Sequence, residues 1–231
     1  MASNDPIIYA VGDVHGYADL LEDLMAQIER DAKQYAGRPV EVVFLGDYVD
    51  RGPDSRGVIA HLREWQPGFA LTFLKGNHED LLAKTVSEPD LEFGADMGQD
   101  ATFESYLGYE DVMAGDVFWM TSLPLTKMIE TADQKYLFVH AGIVPDRPLH
   151  EQPERALIWI REEFLEHEGD HGFIVVHGHT PNADGWPELK SNRINVDSGV
   201  YFSGRLTAVV LGDGAPRFLH AESGEGWGDD V

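Results

Sequence analysis

The chain has 231 residues, no cysteine and a formal net charge of −24, with 41 acidic side chains against 17 lysines and arginines. That charge argues against nucleic-acid partners, because phosphate backbones need a basic footprint. The missing thiols exclude disulfides, thiolate metal sites and a cysteine nucleophile, and fit a reducing cytosol.

Hydrophobic residues make up 43% of the chain, enough for a large core. No run approaches the ~18 apolar residues of a membrane helix, and residues 1–16 lack the basic-then-apolar pattern of a signal peptide. One cytoplasmic domain spanning 1–231 is expected, away from membranes, with a flexible tail over about 223–231.

Ile7 to Val11 reads as a buried strand, closed by Gly12 and followed by Asp13-Val14-His15-Gly16. Leu20, Leu21, Leu24, Met25 and Ile28 then recur at helical spacing, and Gly37 and Pro39 mark the stop. The stretch 41–53 organises the rest. Val42, Val43, Phe44 and Leu45 form a second strand, Gly46 breaks it, and Asp47, Asp50, Arg51 and Asp54 follow. A strand that spends carboxylates at its tip is delivering them somewhere; a solvated loop is the plain alternative, and it loses because the pattern returns.

Ser55 is read as the cap of a helix bearing Val58, Ile59, Leu62 and Trp65 on one face. Residues 70–74 form a third strand, ending in Lys75-Gly76-Asn77-His78-Glu79, and Leu81 and Leu82 begin a short helix. Between Ser87 and Leu123 the pattern is less regular, with helices around 101–107 and 111–120 and turns at Gly94, Gly98 and Gly108. Residues 136–139 are a strand ending in His140-Ala141-Gly142. Pro153 opens one helix carrying Leu157, Ile160, Phe164 and Leu165. Residues 173–176 are a strand ending in His177-Gly178-His179. Residues 194–196, 206–211 and 218–220 read as further strands, meandering between glycine turns. Alternating strands and helices early, then strands, give an α/β protein with two packed sheets.

Five apolar runs thus end in Asp13/His15, Asp47, Asn77/His78, His140 and His177/His179. Ligands of open α/β sheets sit beyond the carboxyl ends of the strands. A lone histidine is more often an ordinary core or surface residue, but five of the ten following strand-like runs is hard to attribute to chance. Carboxylate, imidazole and amide suit Mn, Fe, Zn or similar ions. Two such ions, about 3.5–4 Å apart and sharing a carboxylate, would clamp a phosphoryl displacement.

The motifs GDVHG at 12–16, GDYVDRG at 46–52, GNHE at 76–79, HAG at 140–142 and GHT at 178–180 resemble, in order and spacing, the signature set of the PPP metallophosphatases. That family includes the serine/threonine protein phosphatases and the bacteriophage lambda phosphatase. LIWIREEF at 157–164 and INVDSG at 194–199 resemble its bacterial branch. The resemblance runs from about residue 7 to 211. It implies a two-sheet β-sandwich flanked by helices, the calcineurin-like metallophosphatase fold. It implies two divalent ions, Mn foremost with Fe or Zn as alternatives. Asp13 and His15 would hold one ion, Asp47 would bridge to the second, and Asn77, His140 and His179 would complete it. His78 would be the general acid, oriented by Asp50, while Arg51, Arg161 and Asn77 would meet the phosphate.

The implied activity is hydrolysis of a phosphoserine or phosphothreonine protein, with phosphotyrosine also open, by in-line attack of a metal-bound hydroxide. A dinucleoside polyphosphate hydrolase is the alternative, although those relatives tend to lack the acid at Asp50 and to read GNHD. An inactive metal-binding scaffold would have lost a ligand or the acid, and none is missing. His177 is read as a supporting residue, Asp197 and Tyr201, near a Gly-rich turn, as structural with a place lining the site as the alternative, and Trp119 and Trp159 as core. His61, His150, His167, His171 and His220 are read as ordinary surface or helix residues.

Overall fold

The computed structural model describes residues 5–88 and 97–224. The turn expected at Gly94 and the tail beyond Gly224 lie outside them.

Two five-stranded mixed sheets face each other. In the first, β1 (Ile7–Val11), β2 (Val40–Phe44) and β3 (Ala70–Phe73) run parallel. The hairpin of β9 (Arg205–Leu211) and β10 (Arg217–Glu222) extends this sheet antiparallel to β1. In the second, β5 (Lys135–Val139), β6 (Ile174–His177) and β8 (Arg193–Asn195) are parallel, edged by antiparallel β4 (Thr126–Glu130) and β7 (Glu188–Leu189).

The continuous apolar runs follow from burial on both faces. Ile7, Tyr9 and Val11 meet α1 (Ala18–Ala32) and α2 (Ser55–Glu64), while Ile8 and Ala10 point at the second sheet. Val43 and Leu45 join Phe138, Val176 and Ile194 in that inter-sheet layer. Beyond the second sheet, Leu137, Val139 and Val175 pack on Leu157 and Phe164 of α6 (Glu154–Trp159) and α7 (Glu162–Leu165). Each such buried aliphatic contributes about 1.5–3 kcal/mol.

Four local readings are corrected. The cap of α2 is Asp54, whose carboxylate accepts from Gly57 N at 2.8 Å; Ser55 is the first helical residue and is fully buried. Helix α3 (Asn77–Ser87) begins four residues earlier than Leu81, so Asn77, His78 and Glu79 form its first turn. The single helix expected from Pro153 is two helices, broken where Ile160 becomes extended (ψ 144°). Strands β4 and β7 and the short helix α8 (Val200–Ser203) were not anticipated. Helices α4 (Gln99–Ser105) and α5 (Glu110–Thr121) fall close to the expected positions. Among the described residues, no helix is long and apolar enough to cross a membrane.

Candidate active site

The predicted residues meet at the seam between the sheets, where the parallel strands of both sheets end. Asp13 and Asp47 come from the loops after β1 and β2, Asn77 from the first turn of α3 after β3, and His140 and His179 from the loops after β5 and β6. Asp13, His15, Asp47, Asn77, His78, His140 and His179 are all buried, and Asp50 is completely so.

The backbone there is strained. His15, Asp47, Asp50, Arg51 and His179 have φ between 46° and 73°, and only one other non-glycine residue among those described, Asp146, has positive φ. Each such conformation costs on the order of 1–3 kcal/mol and persists only if its surroundings impose it. The Asp47 carbonyl accepts from Val14 N and His15 N at 3.0 and 2.9 Å. Glu79 receives the N–H groups of Asp47, Tyr48 and Gly76 at 2.7–2.8 Å, riveting two loops together. Glycine is required where chain meets carboxylate. A Cβ at Gly76 would lie 2.2 Å from Asp47 Oδ1, and one at Gly178 would lie 2.1 Å from Asp13 Oδ1.

Two sets of potential ligand atoms share Asp47: His15, Asp47 and His78, and Asp47, His140 and His179. His15 donates from Nδ1 to the Val49 carbonyl (3.0 Å), and His140 donates from Nδ1 to the Leu45 carbonyl (3.0 Å). In its neutral form each ring is then left with a bare Nε2. These nitrogens lie 3.8 and 3.4 Å from Asp47 Oδ2, and Asn77 Oδ1 lies 2.9 Å from His140 Nε2. With these rings neutral their lone pairs converge with the carboxylate and amide oxygens, an arrangement that divalent cations resolve and that the hard-to-borderline N/O donor set fits. Asp13 borders the cluster and accepts from His179 N at 3.0 Å. His78 belongs to the first set by distance, its Nε2 3.8 Å from Asp47 Oδ2, while its Nδ1 is taken by Asp50.

The electrostatics show the same crowding. Burial, with Asp197 and Asp47 nearby, pushes the Asp13 carboxyl well above its ordinary range. Burial raises Glu79 to about 7 and Asp197 to about 6, with Asp47 adding to both. Burial also opposes the Asp47 anion, but His140, His78 and His15 hold its carboxyl well below the usual range. Burial and His140 lower His179 to about 3. Mutually repelling carboxylates beside bare imidazoles form a site prepared for positive charge.

His78 Nδ1 is 2.7 Å from Asp50 Oδ2. Burial works against its charged form, but Asp47 and Asp50 prevail and raise its pKa. Its Nε2 faces Arg51 Nη2 at 3.5 Å, and the Arg51 guanidinium lies 4.0 Å from the Tyr201 ring centroid. Tyr201 also packs edge-on to His15 at 5.6 Å, so it lines the site rather than serving only the fold.

Arg161 is not on an amphipathic helix face. It is the exposed residue at the break before α7, and its Nε donates to His179 Nε2 at 3.2 Å, leaving Nδ1 for the cluster. Trp159, expected in the core, stands half-buried and edge-on to His179 at 5.9 Å, whereas Trp119 packs on the core as expected. His177 belongs to neither set and abuts Phe164. The brace formed by Glu79 was missed, although a glutamate three residues after a helix-start glycine is a signal for it.

The family profile of the calcineurin-like phosphoesterases matches residues 7–213. The chain belongs to that family and is a metal-dependent phosphoester hydrolase. It is 28% identical over 223 residues to serine/threonine-protein phosphatase 1 of Salmonella typhimurium, covering 91% of this chain and 94% of that one. It is 25% identical over 228 residues to the asymmetrical bis(5'-nucleosyl)-tetraphosphatase PrpE of Oceanobacillus iheyensis, covering 86% of each. Among solved structures, a protein serine/threonine phosphatase of Saccharomyces cerevisiae superposes with TM-score 0.63 at 20% identity, covering 96% of this chain and 81% of that one. That likeness supports the two-sheet fold expected from the sequence.

Proposed function

We propose that the chain is a phosphomonoesterase acting on phosphoserine or phosphothreonine in proteins, with Mn as its most effective ion. The observation that carries this reading is the leaving-group side of the site. His78, with its raised pKa and buried carboxylate partner, is built to give a proton to a departing oxygen. A seryl alkoxide needs that proton, whereas a nucleotide leaving from an anhydride carries low-pKa oxygens and needs it far less.

Arg51, beside His78, also lines a groove of about 980 Å³. Its walls include Tyr17, Leu20 and Ala101, with the carboxylates of Asp19, Asp54 and Glu104. Such a lining suits a neutral or basic peptide and repels a polyphosphate.

In the proposed mechanism Asp13 and His15 would hold one dication, Asp47 would be shared, and Asn77, His140 and His179 would hold the second. When bound, the pair neutralises phosphate oxygens and makes a nucleophile of water near neutral pH. Arg51 and Arg161 orient the phosphate through charge-assisted hydrogen bonds. The buried Asn77 Nδ2 has no partner and is a further donor for it. His78 protonates the leaving oxygen.

One observation favours the second reading, dinucleoside polyphosphate hydrolysis. Trp159 walls a pocket of about 190 Å³ that also contains Lys75 and Arg155, cations that a second phosphate could use, beside Glu154 and a Lys84 paired with Asp80 at 2.7 Å. Parallel kcat/KM measurements on a phosphoserine peptide and diadenosine tetraphosphate decide between them. A peptide preference is expected, and a preference for the nucleotide would overturn the reading.

A further inference from the structure

The hydrogen bonds around Asp50 run to a part of the chain that carries none of the motifs. Thr102, in α4, is completely buried. Its hydroxyl donates to Asp50 Oδ1 at 2.7 Å, so its single proton is spent there. It accepts from Asp50 N at 2.8 Å, and Ser55 Oγ, 2.9 Å away, must then be the donor of that contact. All three hydrogen-bonding capacities of Thr102 are used, two of them on Asp50. The Asp50 amide also reaches Ser55 Oγ at 3.1 Å. One turn before, the Gly98 carbonyl accepts from Arg51 N at 3.0 Å. Asp50 and Arg51 are consecutive non-glycine residues at φ 73° and 70°. Helix α4 and its preceding glycine therefore grip the backbone of both, and grip one carboxylate oxygen of the first.

We propose that Thr102 is a positioning residue for proton donation. It fixes Asp50 Oδ1 so that Oδ2 faces His78 Nδ1, and α4 is the support that sets the acid and the phosphate arginine relative to each other. Nothing in the motifs requires a threonine at this place, and Thr102 touches neither the ligand sets nor a phosphate position. A valine has the same shape but can neither donate to Oδ1 nor accept from the Asp50 amide. The carboxylate would then rotate, and His78 would lose the anion that orients it. The inference rests on the reading of His78 as the acid.

The test uses a phosphoserine peptide, whose alkoxide needs a proton, and p-nitrophenyl phosphate, whose phenolate does not. Thr102→Val should lower kcat for the peptide by about 10–100-fold, as loss of an orienting partner does. KM, metal content and p-nitrophenyl phosphate turnover should change little, and Thr102→Ser should restore the peptide rate. In an Asp50→Asn background, Thr102→Val should add almost nothing, since both changes remove one arrangement. Equal slowing of the two esters by Thr102→Val, failure of serine to rescue, or full additivity with Asp50→Asn would overturn the proposal. His78→Asn, run in parallel, isolates the underlying reading. It should slow the peptide by about 10²–10⁴-fold and the aryl ester much less; equal slowing there would sink the acid assignment itself. Should Thr102→Val not fold, Thr102→Ser against Thr102→Ala gives the same comparison.

Discussion

Two groups of carboxylates in this molecule are treated in opposite ways. At the seam between α1 and β10, Asp31 accepts from Tyr9 Oη at 2.6 Å, from Gln34 Nε2 at 2.7 Å and from the Arg217 guanidinium. Burial opposes its anion, but these donors win and its pKa is lowered. In the active site Asp13, Asp47 and Asp197 lie close enough to repel one another, Asp47 sits on strained backbone, and two of the three have raised pKa values. The first group is satisfied by the fold and serves stability. The second is left wanting positive charge, and the fold is strained to keep it so.

The sharpest way to break this comparison is to remove what the second group wants. Chelation should abolish activity and lower the melting temperature. Ligands bound at a hundredfold excess over Kd stabilise by about 2.7 kcal/mol, which is roughly 5–10 °C for a chain of this size. Asp47→Asn should lower activity by more than about 100-fold, because both ligand sets use Asp47. It should also lower metal stoichiometry by elemental analysis. Full activity in metal-stripped protein, or normal stoichiometry in the variant, would refute the shared-ligand assignment.

Asp31 should respond the other way. Asp31→Asn should cost about 1.5–3 kcal/mol, the worth of hydrogen bonds to a charged group, and leave metal content and kcat untouched. Because its folded pKa is depressed, its contribution is present above the unfolded value near 4 and is lost as pH falls through the lower folded one. Thermal melts of both proteins between pH 7 and 3 should therefore converge at the acid end. A constant gap across that range would show that the Asp31 charge is not what matters.

The same contrast explains what was legible in the sequence. Asp13, His15, Asp47, Asn77, His140 and His179 stand at strand ends in short fixed motifs, because chemistry dictates both residue type and spacing. The two-sheet fold followed from strands and helices that alternate early and give way to strands later. What escaped is long-range. The break at Ile160 is invisible because Leu157, Ile160, Phe164 and Leu165 all pack on the second sheet, so apolar periodicity runs through it. Ser55 has the right residue type for a cap, but its hydroxyl is used on Asp50 and Thr102, and Asp54 caps instead. Tyr201 reaches Arg51 and His15 only after β8 and β9 have joined different sheets. None of these contacts has a period or a spacing to read.

The smallest effect concerns the groove beside Arg51, where exposed carboxylates act at a distance. Asp19 and Glu104 are exposed, and the chain as a whole carries −24. Two charges 4 Å apart in water interact by only about 1 kcal/mol. Screening reduces this beyond a Debye length of about 10 Å at 0.1 M salt and 3 Å at 1 M. A peptide with lysines flanking its phosphoserine should thus exceed a matched acidic peptide in kcat/KM by about tenfold or less at low salt. The ratio should narrow towards unity at 1 M. Because steering acts before the chemistry, the difference should lie in kcat/KM and leave kcat alone, with the Asp19→Asn/Glu104→Gln double variant flattening it at low salt. A preference that persists at 1 M salt would locate specificity in short-range contacts rather than in charge. Equal values throughout would show that this acidic face does no steering.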